Sequence, residues 1–147
     1  MTGIRYILAG FVAFIVAATL VFQFRMRKYP GVPRDEFIRT FTDLNVPIAI
    51  SAAVHDYYKS GILSKTFGVA PDYSYEDVLH EGTEEIDDDA QLLVKRLGLT
   101  LPPTKIREQW TKEIKTVRDM VLWLNWVNEH QASESTAETL QPSSPQG

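Results

Sequence analysis

The sequence predicts an all-α protein: a single N-terminal transmembrane helix, then a small helical bundle and a polar tail. Three observations predict it. Residues Tyr6–Phe24 run for nineteen positions without a charge, about 28 Å as a helix and close to the hydrocarbon thickness of a bilayer. Further along, apolar residues recur at helical rather than alternating spacing, most clearly Ile86, Ala90, Leu93, Val94 and Leu97. The 147 residues include no cysteine, which excludes disulfides, thiol catalysis and cysteine-ligated metal. Outside the apolar run and the tail, about a hundred residues remain, enough for one modest core. The net charge of −4 is mild, but positive charge gathers after the apolar run and negative charge in the middle. No basic stripe with interleaved aromatics appears, so nucleic acid is not an expected partner.

Residues 1–28 are expected to form an uncleaved membrane anchor with a basic flank. A cleaved signal peptide would need small residues after the apolar run, whereas this run ends in Val21-Phe22-Gln23-Phe24 followed by Arg25-Met26-Arg27-Lys28. Arg25, Arg27 and Lys28 outweigh the amino terminus and Arg5 on the other side. The positive-inside rule therefore leaves the remainder in the cytoplasm, at the cell inner membrane. Residues 29–34 contain two prolines and a glycine and are expected to form a spacer, because they cannot continue the helix.

The helical domain is expected over residues 35–130. Asp35–Phe41 reads as a short amphipathic helix with Phe37, Ile38 and Phe41 on one side. The next helix spans Val46–Ser60, with Pro47 in an early turn and Gly61 at its end. Between Asp72 and Asp89 stand nine acidic residues, and neither Lys nor Arg occurs between Lys65 and Lys95. The helix carrying the Ile86–Leu97 stripe is expected to begin among these acids. Asp87, Asp88 and Asp89 then lie in its first turn, where carboxylates meet the positive end of the dipole. Lys95 and Arg96 complement its last turn and Gly98 stops it. Lys105–Thr111 is expected to be a brief helix presenting Ile106 and Trp110. The last helix opens at an N-cap, Thr116, with Asp119 three residues on, and buries Val117, Met120, Val121, Leu124 and Val127. Residues 131–147, polar and without aromatics, are expected to be disordered.

In its order of elements the region Asp35–Asn128 resembles the four-helix acyl carrier protein family, in particular its small divergent members. The motifs that carry the likeness are Pro71-Asp72 in a long loop, an acidic helix closing in Gly98-Leu99-Thr100-Leu101-Pro102, and a final helix opening Ile114-Lys115-Thr116-Val117-Arg118-Asp119. The resemblance implies the scaffold and a partner-facing acidic helix. Carrier proteins attach 4′-phosphopantetheine to a serine at the start of the second helix, and aligning the apolar stripe brings Asp87–Asp89 to that place, with no hydroxyl among them. Keeping the family's helix length instead brings Thr83 there, at the expense of turning Glu84, Asp87 and Asp89 toward the core, where an unpaired charge costs several kcal/mol. Ser74 lies too far upstream. No cofactor is therefore expected, with Thr83 the attachment residue under the alternative of a genuine acyl or peptidyl carrier.

Three neighbouring aspartates on a helix point about 100° apart and cannot converge on one ion, so no metal is expected. His55, His80 and His130 show no paired spacing, and no Ser-His-Asp arrangement is visible. Trp123 and Trp126 widen the apolar arc of the last helix. Packing on the helix at Phe37–Phe41 is the plainer reading, and a secondary partner or bilayer surface the other. The chain is thus expected to be no enzyme. It is instead a membrane-tethered interaction module, held by the lipid bilayer through one helix and presenting Glu84, Glu85, Asp87, Asp88 and Asp89 to a basic protein partner.

Overall fold

A computed structural model describes residues 2–60 and 68–139, with the side chains of 2–6, 25–27 and 132–139 outside that description. Among the described residues the protein is helical and has no strand. Its elements are α1 (Thr2–Lys28), α2 (Arg34–Thr42), α3 (Ile48–Ser60), a π turn (Tyr75–Leu79), α4 (Thr83–Arg96), α5 (Thr104–Glu113) and α6 (Val117–Thr139).

Helix α1 is long and apolar enough to cross a membrane, and its span Ile7–Phe24 is wholly exposed. The side chains of Arg25 and Arg27 lie outside the described residues, while Lys28 stands over the Tyr29 ring at 5.1 Å. The segment expected to be a spacer is tied to the body. Gly68 N–H donates to the Tyr29 carbonyl at 2.8 Å and Val32 N–H to the Val69 carbonyl at 2.9 Å. Gly31 N–H donates to the Tyr73 hydroxyl at 2.9 Å, and the Tyr29 and Tyr73 rings meet edge-on at 5.7 Å. Two glycines permit this approach: a Cβ on Gly68 would lie 2.1 Å from the Pro30 carbonyl oxygen, and one on Gly31, at φ +68°, would lie 2.4 Å from Val69 N.

Helix α2 lies against α3, α3 against α4 and α6, and α4 against α5 and α6. The expected apolar faces form this core: Phe37 and Phe41 from α2, Ile50 and Val54 from α3, and Ile86, Ala90, Leu93 and Val94 from α4 are buried. They meet Val117, Met120, Val121, Leu124 and Val127 of α6, all buried as the stripe requires. Pro47 falls just before α3, its carbonyl accepting from Ile50 N–H at 2.9 Å. Gly61, expected to end α3, lies outside the described residues. Arg34 holds Asp56 through two bonds of 2.9 and 3.1 Å, and this pairing keeps the Asp56 carboxyl below its ordinary range.

The helix ends follow their caps. Gly98 takes φ +67° after α4, with Leu99 N–H reaching back to the Val94 carbonyl at 3.0 Å. At α6, Thr116 Oγ1 accepts from Asp119 N–H at 3.3 Å, and Asp119 Oδ2 accepts from Thr116 N–H at 2.8 Å. Of residues 131–147, expected to be disordered, 131–139 instead continue the backbone of α6 to Thr139, and 140–147 lie outside the described residues. Alanine and glutamate in Ala132–Thr139 favour that continuation.

Candidate functional site

The acidic helix begins earlier than its apolar stripe implies. Gly82 precedes the first residue, Thr83, and Glu85 Oε2 reaches back to accept from Gly82 N–H at 3.0 Å. Ile86, the first stripe residue, is already the fourth helical position. Glu84 and Glu85 therefore occupy the first turn, not Asp87–Asp89.

The five carboxylates assigned to one partner-facing surface divide into two groups. Glu84, Glu85 and Asp88 are exposed. Asp87 is turned toward α5: its Oδ1 accepts from Arg107 Nε at 2.8 Å and Thr111 Oγ1 at 3.3 Å, and its Oδ2 from Gln91 Nε2 at 2.8 Å. Asp89 is turned toward α3, where its Oδ1 accepts from the Tyr57 hydroxyl at 2.5 Å. Helical geometry accounts for both. Asp89 stands three residues after Ile86 and four before Leu93, and Asp87 three before Ala90, so each borders the buried stripe. The helix thus starts at Thr83 with its apolar stripe still inward, Glu84 exposed, and Asp87 and Asp89 each accepting a hydrogen bond from another helix.

Removing one partner of a half-buried ion pair leaves the other group unpaired. Asp87→Ala is expected to cost about 1–3 kcal/mol. The exposed pair Glu84→Gln and Asp88→Asn should together change stability by no more than about 0.5–1 kcal/mol. Urea unfolding of the two variants checks this, and equal losses would contradict the division.

Beneath α4 lies a polar cluster that the sequence reading passed over. The Tyr58 and Tyr75 hydroxyls share a bond of 2.7 Å, with Tyr75 buried at 1 % exposure. Glu81, in the lead into α4, faces Asp89. Burial pushes the Glu81 carboxyl up to about 7, aided by the nearby Asp89 charge. Asp89 is also raised, by burial first, against the opposing pull of the Tyr57 bond and the neighbouring Tyr58 hydroxyl. Glu81 Oε2 and Asp89 Oδ2 are buried atoms with no hydrogen-bond partner. Asp89's place on the stripe was the available signal. Glu81 had none, because it is recruited by the turn that precedes α4.

Two grooves flank the start of α4 and share Thr83 as an edge. One, of about 490 Å³, is lined by Ser74, Tyr75, Glu81, Ile86, Thr111 and Lys115 among others. The other, of about 420 Å³, is lined by Glu84, Asp87, Asp88, Glu108, Thr111 and Lys112. Thr83 is exposed at the first position of the helix.

The remaining candidates are dispersed. His55 is buried, with Nδ1 3.2 Å from Asp56 Oδ1. His80 follows the π turn at φ 58°. His130 stacks on Trp126, with ring centroids 4.0 Å apart. Among the described residues no group of three or more His, Asp or Glu side chains is arranged to hold a metal ion. Trp123 is 1 % exposed and belongs to the core, so the surface assigned to Trp123 and Trp126 reduces to the half-buried Trp126. That ring packs on Trp110 of α5, with centroids 5.6 Å apart. No family model, curated protein or solved structure matches the chain.

Proposed function

We propose that this chain is a membrane-tethered, non-catalytic interaction module of acyl-carrier-like design, which presents the first two turns of α4 to a basic protein partner. The observation that carries the reading is the exposure of Glu84, Glu85 and Asp88 together at the start of one helix. Glu108 of α5 lines the adjoining groove with Glu84 and Asp88 and extends the same negative face. Such a face speeds encounter with a positive surface and makes binding fall with salt. Asp87 and Asp89 support the helix and drop out of the contact set. Crosslinking and capture from the native membrane tests the proposal. Glu84→Gln with Asp88→Asn should reduce capture sharply without unfolding the domain, and intact capture would move the interface elsewhere.

The exposed apolar α1, followed by Arg25, Arg27 and Lys28, supports a single-pass topology at the inner membrane with the domain on the cytoplasmic side. A reporter fused after Gln131 should behave as cytoplasmic, and the mature chain should retain its first residues. An N-terminus after Phe22 would overturn the anchor.

A second reading, a genuine carrier modified on Thr83, is favoured by one observation: an exposed hydroxyl at the first position of α4, on the edge of two grooves. With coenzyme A and a phosphopantetheinyl transferase the leading proposal expects no gain in mass. A pantetheine adduct on Thr83 would transfer the lead to the carrier reading.

A further inference from the structure

Residues 74–82 lead the chain into α4: Tyr75, Val78 and Leu79 anchor the first part in the core, and residues 80–82 join it to the helix. Ser74 forms an isolated antiparallel bridge with Thr116, the π turn follows, and His80 is left-handed at φ 58°. Glu81 N–H donates to the Tyr75 carbonyl at 2.9 Å, and the Glu81 side chain turns under α4 toward Asp89. One oxygen of Asp89 is taken by the Tyr57 hydroxyl. The other, Oδ2, and Glu81 Oε2 are both buried and accept nothing. Two carboxylates cannot bond to each other, because an ionised carboxylate has no hydrogen to donate. One proton between them supplies the missing donor and removes one of two adjacent like charges.

We propose that Glu81 and Asp89 share a single proton and act as a pH-operated latch that fastens residues 80–82 to α3 and α4. With the proton in place, Glu81 donates to Asp89 and the lead is fixed. Loss of that proton to water leaves two facing carboxylates, which repel, and the lead detaches. The charged side chains that act on the ionisation of the pair are themselves acidic. From α4 the pair meets Glu85 and Asp88. From α3 it meets Tyr57 and Tyr58, and from the π turn Tyr75, all three held protonated by burial. Asp119 of α6 acts on Tyr75, and Lys115 lines the groove that holds Glu81 without forming an ion pair with it. Thr111 is the α5 side chain in that groove and carries no charge.

The Glu81 carboxyl is raised from 4.5 to about 7 by burial and by Asp89. A carboxyl raised on folding contributes stability that is present below its unfolded value and lost as pH rises through its folded value. The latch is therefore closed near pH 5.5 and open near pH 8. Its opening would widen the groove beside Thr83 and loosen the first turn of α4, so pH would govern access to that face. The inference does not depend on which partner or group the face receives.

Amide hydrogen exchange on the full chain in lipid nanodiscs, corrected for intrinsic rates, tests it. Protection of residues 80–82 should fall about tenfold between pH 5.5 and 8, roughly one unit of effective shift for a half-exposed acid. Glu81→Gln, permanently neutral and able to donate, should hold its protection at pH 8. Asp89→Asn, which supplies a donor from the other side, should do the same. Glu76→Gln, an exposed acid on the preceding π turn, should retain the full pH response. Equal wild-type protection at both values would overturn the latch. So would a pH response that survives both Glu81→Gln and Asp89→Asn. Should either variant fail to fold, a carbon-13 titration of the wild-type carboxyls decides: an inflection near pH 7 for the pair supports the latch, and two ordinary titrations near pH 4 refute it.

Discussion

Gly68→Ala is expected to lower stability by roughly 2–4 kcal/mol, from overpacking and the loss of backbone hydrogen bonds. The added methyl would lie 2.1 Å from the Pro30 carbonyl oxygen and 2.4 Å from Gly31 Cα. Both neighbours are backbone, so no side-chain rotation relieves the contact. The connector must leave Gly68 and Val69, breaking the bonds at Tyr29 and Val32. A matched change at Gly10, where no atom lies within 4 Å of an added Cβ, should leave the body unaffected. Urea unfolding followed by tryptophan fluorescence measures the difference. A Gly68→Ala protein as stable as wild type would mean that the connector is not docked in solution.

Trp123→Ala is expected to cost about 3–5 kcal/mol, the range for removing a large aromatic from a packed core. The ring is 1 % exposed and belongs with Met120, Val121, Leu124 and Val127 to the buried face of α6. Trp126→Ala should cost distinctly less, because that ring is half-buried and stacks on Trp110 and His130 at the surface. Thermal or urea midpoints of the two variants check the order. If Trp126 proved the costlier, the assignment of core and surface on α6 would be reversed.

The contrast between these tryptophans shows what a single sequence makes legible. The stripes of α4 and α6 lie at fixed helical spacing, and every residue named for them proved buried except Leu97, which is half-buried. Caps formed by neighbours, Thr116 with Asp119 and Gly98 after α4, were equally readable because they close within a few residues. The acidic helix was misjudged where charge and periodicity disagree. Five acids read as one solvated face, yet Asp87 and Asp89 border the stripe and find Arg107 and Tyr57 from other elements. Those partners stand 20 and 32 residues away, beyond any local pattern. The start of α4 was lost for a related reason: an apolar stripe marks where a helix becomes buried, not where its backbone begins. The docked connector had no sequence signal beyond Gly31 and Gly68, which also suit an ordinary turn.

That connector bears on how far the domain can range. A flexible linker of five residues would let its load tumble over a radius of roughly 12 Å. Here the segment from Tyr29 to Val32 is fastened to Gly68, Val69 and Tyr73, so no free linker of that length separates the body from α1. On the proposed topology, the domain would travel in the plane of the bilayer at one height and one tilt. A partner held in the same membrane would meet α4 after a search in two dimensions, with most of the rotational freedom already removed. A partner approaching from bulk solution would lose that advantage. The same fastening that requires two glycines would thus select for neighbours over visitors.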